Sequence, residues 1–208
     1  PETMRAVLGA TLAVPDGQPL VWALRSLGHA HATRVYGPDL MLAFCARAAL
    51  EGTPIYLYGG RDEGALELLE GRLRERFPGL HIAGGYSPPF RELSAEEEER
   101  VIAEIEASGA AVVWVGIGQP KQERWMHRMR PRLSTPLLVG VGAAFDFHAG
   151  LVPQAPGWMQ RAGLEWSYRL AREPRRLWRR YARYNPRFVV AFARQYARER
   201  GRTNLHTR

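Results

Sequence analysis

The run Ala110–Gly118, AAVVWVGIG, carries no charged residue and passes straight into Gln119-Pro120-Lys121-Gln122-Glu123, which has the makings of a helix start. A strand that is apolar on both faces needs cover on both, and a parallel sheet flanked by helices supplies it. The same alternation recurs along the first three quarters of the chain. Short β-rich apolar runs predict strands at Thr11–Val14, Arg34–Tyr36, Ile55–Tyr58, His81–Ala83, Ala111–Val115 and Leu137–Val141. Between them, helical patterns lie at 17–28, 38–51, 62–76, 94–108 and 119–131, and Ser94 with Glu97 predicts a capping box for the fourth. Strands spaced by helices of this length imply right-handed βαβ units. The expected fold class is α/β, a Rossmann-like, mostly parallel sheet flanked by helices.

In such a sheet the ligand site lies outside the carboxyl ends of the strands. Five exits carry chemistry: Pro15-Asp16-Gly17, Gly37-Pro38-Asp39, Gly59-Gly60-Arg61, Gly116-Ile117-Gly118 and the run Gly140 to Asp146. Gly116 and Gly118 let the backbone turn and approach a ligand, and the helix that follows offers free N–H groups to an anion. A dinucleotide fingerprint would need a third glycine at 121, where the only lysine of the chain stands, and no P-loop is present. A plain helix start and an anion-facing turn both stay open. Asp16 reads equally as a turn aspartate or as a carboxylate that takes a proton from an attacking hydroxyl, a role usually worth roughly 10² to 10⁴ in rate. Asp146 and His148 have no third partner in view and do not make a metal site. No Asp-x-Asp motif exists to hold a divalent ion under a diphosphate, so cationic side chains must neutralise one if it binds.

Those cations sit at one end. Of a net charge of +8, the residues from Trp158 onward carry 14 Arg and 3 Glu, or +11, which leaves −3 for positions 1–157. Seven arginines fall in the window 169–183, interleaved with Tyr168, Leu170, Leu177, Trp178 and Tyr181. Such a helix seeks a polyanionic or membrane interface. The chain therefore divides into an α/β domain at 1–156 and a basic, aromatic-rich helical appendage at 157–208, with Pro186 interrupting its last helix. The single cysteine, Cys45, excludes a disulfide framework within one chain. There is no uncharged apolar run of the ~18 residues that a spanning helix needs.

The series PDG at 15–17, RVYGPDL at 34–40, IYLYGG at 55–60, FPGLHIAGGY at 77–86, VGIGQPKQERWM at 115–126, VGVGAAFDFHAG at 139–150 and APGWMQRAGLEWSYRLAREPRRLWRRY at 155–181 resembles the WecG/TagA/CpsF glycosyltransferases, glycosyltransferase family 26. The resemblance implies metal-independent, inverting transfer of N-acetylmannosamine, its uronic acid or a related hexosamine from a UDP-sugar to a polyprenyl-diphosphate-linked acceptor, for a cell-surface polysaccharide or wall polymer. It implies no metal or other cofactor, Asp16 as general base, and Arg34 and Gln122 in the same pocket. It also implies that Asp146 lies by the nucleoside, with Gly37, Asp39, Gly59, Gly60, Gly116 and Gly118 on the substrate side. Arg169, Arg176 and Arg179 would fold over the diphosphate while the appendage meets the inner face of the cell membrane from the cytoplasm.

Two departures stand out. Family members carry a further strand–helix unit before PDG, whereas 14 residues precede Pro15 here, so the chain is expected to be shortened. Pro38 also replaces a common threonine, which removes a hydroxyl and an N–H from that turn. An aromatic, basic helix could cover a second copy of the chain as readily as a bilayer. A nucleic-acid-binding protein and a nicotinamide-dependent oxidoreductase are the competing readings, and neither has a motif of its own here.

Overall fold

Four of the apolar runs become parallel strands of one sheet, β1 (Ile55–Gly59), β2 (Ile82–Tyr86), β3 (Val112–Gly116) and β4 (Leu137–Gly140), in the order β2-β1-β3-β4. They belong to a computed structural model that describes residues 2–206, and the side chains of 2–200 except that of Arg176. The helices are α1 (Glu2–Leu8), α2 (Gln18–Ser26), α3 (Gly37–Glu51), α4 (Glu63–Arg76), α5 (Ala95–Ser108), α6 (Lys121–Met129), α7 (Ala144–His148), α8 (Gly157–Arg161), α9 (Glu165–Arg172) and α10 (Pro174–His206). The α/β class expected from the sequence is the class observed.

The chain forms two compact units. Unit 1 comprises Pro1–Ala13 and Tyr36–Pro153, and unit 2 comprises Val14–Val35 and Gln154–Arg208. In unit 1, strand alternation sends Ile55, Leu57, Val112 and Trp114 to one face, where Met41, Cys45, Leu66, Leu69, Leu73 and Phe145 cover them. Tyr56, Tyr58, Val113 and Val115 go to the other face, under Val101, Ile105, Trp125 and Met129. Each large side chain removed from water in this way contributes about 1.5–3 kcal/mol before entropy is counted. Tyr58 and Trp125 stack with centroids 4.0 Å apart. Cys45 is fully buried, and burial pushes its thiol up to about 12. The capping box forms as its residues predict, the Ser94 hydroxyl accepting from Glu97 N at 3.2 Å and the Glu97 carboxylate from Ser94 N at 2.8 Å.

Two predicted strands are absent. Thr11–Val14 and Arg34–Tyr36 belong to no sheet, and Val35 N–H donates to the carbonyl of Pro15, just past the first of them, at 3.0 Å. Their residues favour a pleated surface, but a strand needs a neighbour that supplies a ladder. Residues 11–14 instead lie exposed, Leu12 by 77%.

In unit 2, α2 packs against the link between α8 and α9. Gly163, at φ +69°, leaves room there for Trp22, whose Cη2 would lie 2.9 Å from a Cβ at that position. Leu177 is buried, and Trp166 meets Tyr181 edge-on at 6.0 Å. The break expected at Pro186 does not occur. α10 runs through it, because a proline removes one donor and crowds one carbonyl, a loss that a helix of 33 residues absorbs locally. No described helix is long and apolar enough to cross a membrane.

Candidate active site

The chain leaves β1 toward one side to form β2, then crosses back to place β3 on the other side of β1. The sheet order therefore reverses between β1 and β3. Crevices for ligands open at such switch points, outside the carboxyl ends of the two strands. Here those ends are Gly59-Gly60-Arg61 and Gly116-Ile117-Gly118, in register at Gly59 and Gly116.

The glycines at the switch point divide by what a side chain would meet. At Gly59, φ +147°, a Cβ would lie 2.6 Å from the Gly116 carbonyl carbon, and at Gly116 it would lie 2.5 Å from the Phe145 ring. These two residues let β1, β3 and α7 close on one another. Gly60 and Gly118 have φ of +101° and +76°, and around Gly118 nothing lies within 4 Å of the Cβ position. Gly118 is thus the exit with open space beside it among the described residues. Gly37 opens α3 against the β4 exit, where a Cβ would touch Val141 at 3.4 Å. Asp39 is exposed in the first turn of the same helix.

Asp146 sits on α7 and is joined to Arg61 of the β1 exit, Nε to Oδ1 at 2.9 Å and Nη2 to Oδ2 at 3.4 Å. The pair ties the β1 exit to α7, the helix that follows β4. Gln122, in the first turn of α6, is buried at 4% exposure. Its Oε1 accepts from Gly142 N at 3.0 Å and its Nε2 donates to Glu123 Oε1 at 3.1 Å, which ties α6 to the turn after β4. The second carboxylate oxygen of Glu123 is buried with no donor among the described residues. An orphaned acceptor of this kind costs about 1–3 kcal/mol until a water or a ligand satisfies it. His148 Nε2 donates to Pro38 O at 3.0 Å, since a carbonyl only accepts, and burial first, then Arg76, keep its pKa below the ordinary histidine value against that bond and Asp39.

In unit 2, Arg34 holds the Asp16 turn. Its Nε donates to the Asp16 carbonyl at 2.6 Å, Nη1 to Gln160 Oε1 at 3.0 Å and Nη2 to Glu165 Oε2 at 2.6 Å. The Asp16 side chain is exposed at the end of the stretch Thr11–Pro15. Arg169 lies partly buried on α9 and Arg179 exposed on α10, its guanidinium over the Trp178 ring at 5.4 Å. The side chain of Arg176 lies outside the described residues.

The predicted residues thus form two groups. Unit 1 brings together Gly59, Gly60, Gly116, Gly118, Gln122 and Asp146, with Gly37 and Asp39 at the neighbouring helix start, and unit 2 brings together Asp16 and Arg34. Sequence reasoning did not find the partners that fix them, Arg61 for Asp146 and Gln160 with Glu165 for Arg34. Arg61 had a signal, since it directly follows a Gly-Gly strand exit. The other two are 126 and 131 residues from Arg34 and had none.

Residues 1–202 of the chain match the Glycosyl transferase WecG/TagA/CpsF family. That family comprises glycosyltransferases of cell-surface polymer synthesis, which work between a sugar donor and a lipid-linked acceptor.

Proposed function

The chain belongs to this family, and on that premise we propose that it moves a hexosamine-type sugar, N-acetylmannosamine or its uronic acid, from a UDP-sugar to a polyprenyl-diphosphate-linked acceptor. The observation that carries the reading is the reversal of strand order between β1 and β3, where the bare Gly118 turn and the Arg61–Asp146 pair stand at the strand exits. Nucleotides bind at such positions in open α/β sheets.

In the proposed reaction the Asp16 carboxylate takes the proton of the acceptor hydroxyl as its oxygen bonds to C1 of the donor. The bond from C1 to the β-phosphate oxygen breaks on the opposite face, UDP leaves with the electron pair, and the anomeric configuration inverts. Arg34 fixes the backbone that presents Asp16, and Gln122 fixes the turn at Gly142 beside the nucleotide. Arg169, Arg176 and Arg179 neutralise the departing diphosphate, the task that a metal ion performs elsewhere, and no metal or other cofactor is required. Residues 1–156 act as the catalytic part, while the appendage at 157–208 rests on the inner face of the cell membrane, at ~1 kcal/mol for each arginine near anionic lipid.

A thermal-shift panel without metal, using UDP, NAD and an oligonucleotide, tests the class. Stabilisation by UDP alone is expected. A chain indifferent to UDP and stabilised by NAD or by the oligonucleotide overturns the reading.

A further inference from the structure

Unit 1 pairs most of its arginines with carboxylates. Arg47, Arg61, Arg74, Arg91, Arg124, Arg128 and Arg132 each have an acidic partner. Arg72 and Arg76, like Arg5, Arg100 and Arg130, have none among the described residues, although Arg74 between them takes Glu70 at 3.0 Å and the Arg76 guanidinium lies 5.6 Å from the Phe77 ring centroid. One turn apart on α4, Arg72 and Arg76 line a cavity of about 240 Å³ with Leu73 and Glu75 of the same helix, Leu42 of α3 and His148 at the end of α7. The cavity lies about 14 Å along α4 from its start at the β1 exit, and so apart from the switch point.

Two features show that this arrangement is specified. Gly150 has φ +71°, and a Cβ there would lie 2.6 Å from Arg72 Cζ, so the missing side chain leaves the seat that the guanidinium occupies. The Pro38 carbonyl fixes the hydrogen of His148 on Nε2, which leaves Nδ1 as the remaining polar atom of the neutral ring and makes it an acceptor. The lining residues therefore offer two planar cationic donor groups, the exposed Arg72 and Arg76, and two side chains able to accept, Glu75 and His148. A ligand that complements them has several charged acceptor oxygens and one O–H donor.

We propose that this cavity binds hydrogen phosphate, its oxygens on Arg72 and Arg76 and its O–H on Glu75 or His148. Sulfate has a similar size and charge and carries no O–H at neutral pH, so it can donate to neither Glu75 nor His148, and the one hydrogen bond that offsets the repulsion between a dianion and Glu75 is lost. The site goes beyond sugar transfer and is independent of UDP. Because His148 also holds Pro38 and closes α7, the helix that carries Asp146, an occupied cavity restrains the C-terminal end of α7.

Calorimetric titration of the whole chain with inorganic phosphate at pH 7.5, with and without UDP, tests the proposal. Phosphate is expected to bind in both conditions and sulfate roughly tenfold or more weaker. Arg72→Gln and Arg76→Gln should each weaken phosphate roughly tenfold and the double variant should lose it, while Arg74→Gln, on the same helix but outside the cavity, leaves it unchanged. The UDP-induced thermal shift should persist in the double variant, which separates failure here from failure of the transfer reading. Equal phosphate affinity in wild type and double variant, or sulfate bound as tightly as phosphate, overturns the proposal.

Discussion

In unit 1 most arginines sit beside carboxylates, Arg91 on Glu97, Arg128 and Arg132 on Glu98, Arg61 on Asp146, although Arg76 lies over the Phe77 ring, whereas along α9 and α10 of unit 2 several sit over rings, Arg172 on Tyr168, Arg179 on Trp178, Arg183 on Tyr184 and Arg200 on Tyr196. A carboxylate consumes both the charge and the edge N–H groups of a guanidinium. A ring engages its face, contributes about 0.5–1 kcal/mol at an exposed site, and leaves the charge uncancelled. The first arrangement makes a neutral scaffold. The second keeps cationic surface for an anionic partner, in the part of the chain from Trp158 onward that carries +11 against −3 for positions 1–157.

The largest effect expected from this division of labour is catalytic. Asp16→Asn in unit 2 should lower sugar transfer by roughly 10² to 10⁴ and leave the UDP-induced thermal shift intact; a variant with normal turnover removes Asp16 from the mechanism. Next comes Gly59→Ala in unit 1, where backbone, which yields little, stands 2.6–2.8 Å from the new methyl group at a positive φ. A loss of ~3 kcal/mol or more in chemical denaturation is expected there. Arg34→Ala should act on unit 2 alone. It removes the 2.6 Å ion pair to Glu165, with both side chains partly exposed (16% and 20%), and a loss of ~2 kcal/mol, below that of a fully buried pair, should appear as proteolysis within 154–172. Arg179→Gln should change stability by less than ~0.5 kcal/mol, while weakening binding to vesicles of anionic lipid by about fivefold; an effect on stability alone would return α10 to the scaffold class.

The smallest effect is on pH dependence, and its sign follows from two groups of unit 1. The Arg91 guanidinium first, then the Ser94 N–H, hold Glu97 down to about 2, so its contribution is complete above the ordinary carboxylate range and is lost as pH falls toward 2. Burial lowers the pKa of His148, so the unfolded chain takes up that proton first and stability begins to fall as pH drops below roughly 6.5. Thermal denaturation should therefore show a midpoint unaffected by these two groups above about pH 6.5 and lowered by them as pH drops below it toward 3, and a midpoint that rises on acidification contradicts both assignments.

What the residues announced and what they concealed divides along a physical line. β1, β3 and β4 were legible because runs such as VVWV are apolar on both faces, and the capping box was legible because Ser94 and Glu97 are local. Thr11–Val14 has the same β-rich composition, yet the ladder that would make it a strand comes from elsewhere in the chain, and no local pattern reports it. Pro186 misled for the opposite reason: a local rule was outweighed by the rest of a long helix. At the site, the glycines were visible but their uses were not, since only distance separates Gly118, which faces open space, from Gly116, which Phe145 fills. The contacts of Arg34 join positions more than a hundred residues apart, and composition carries no trace of them.

Cys45 offers a practical handle on the contrast between the units. It is the only thiol in the chain, fully buried under the sheet and with its proton held up to about 12, so it is inert to alkylating reagents while unit 1 stays closed. Its rate of modification then clocks the opening of unit 1. A cysteine introduced on the exposed side of α10 would label within seconds in the same tube, so one mass spectrum would time both halves of the molecule separately.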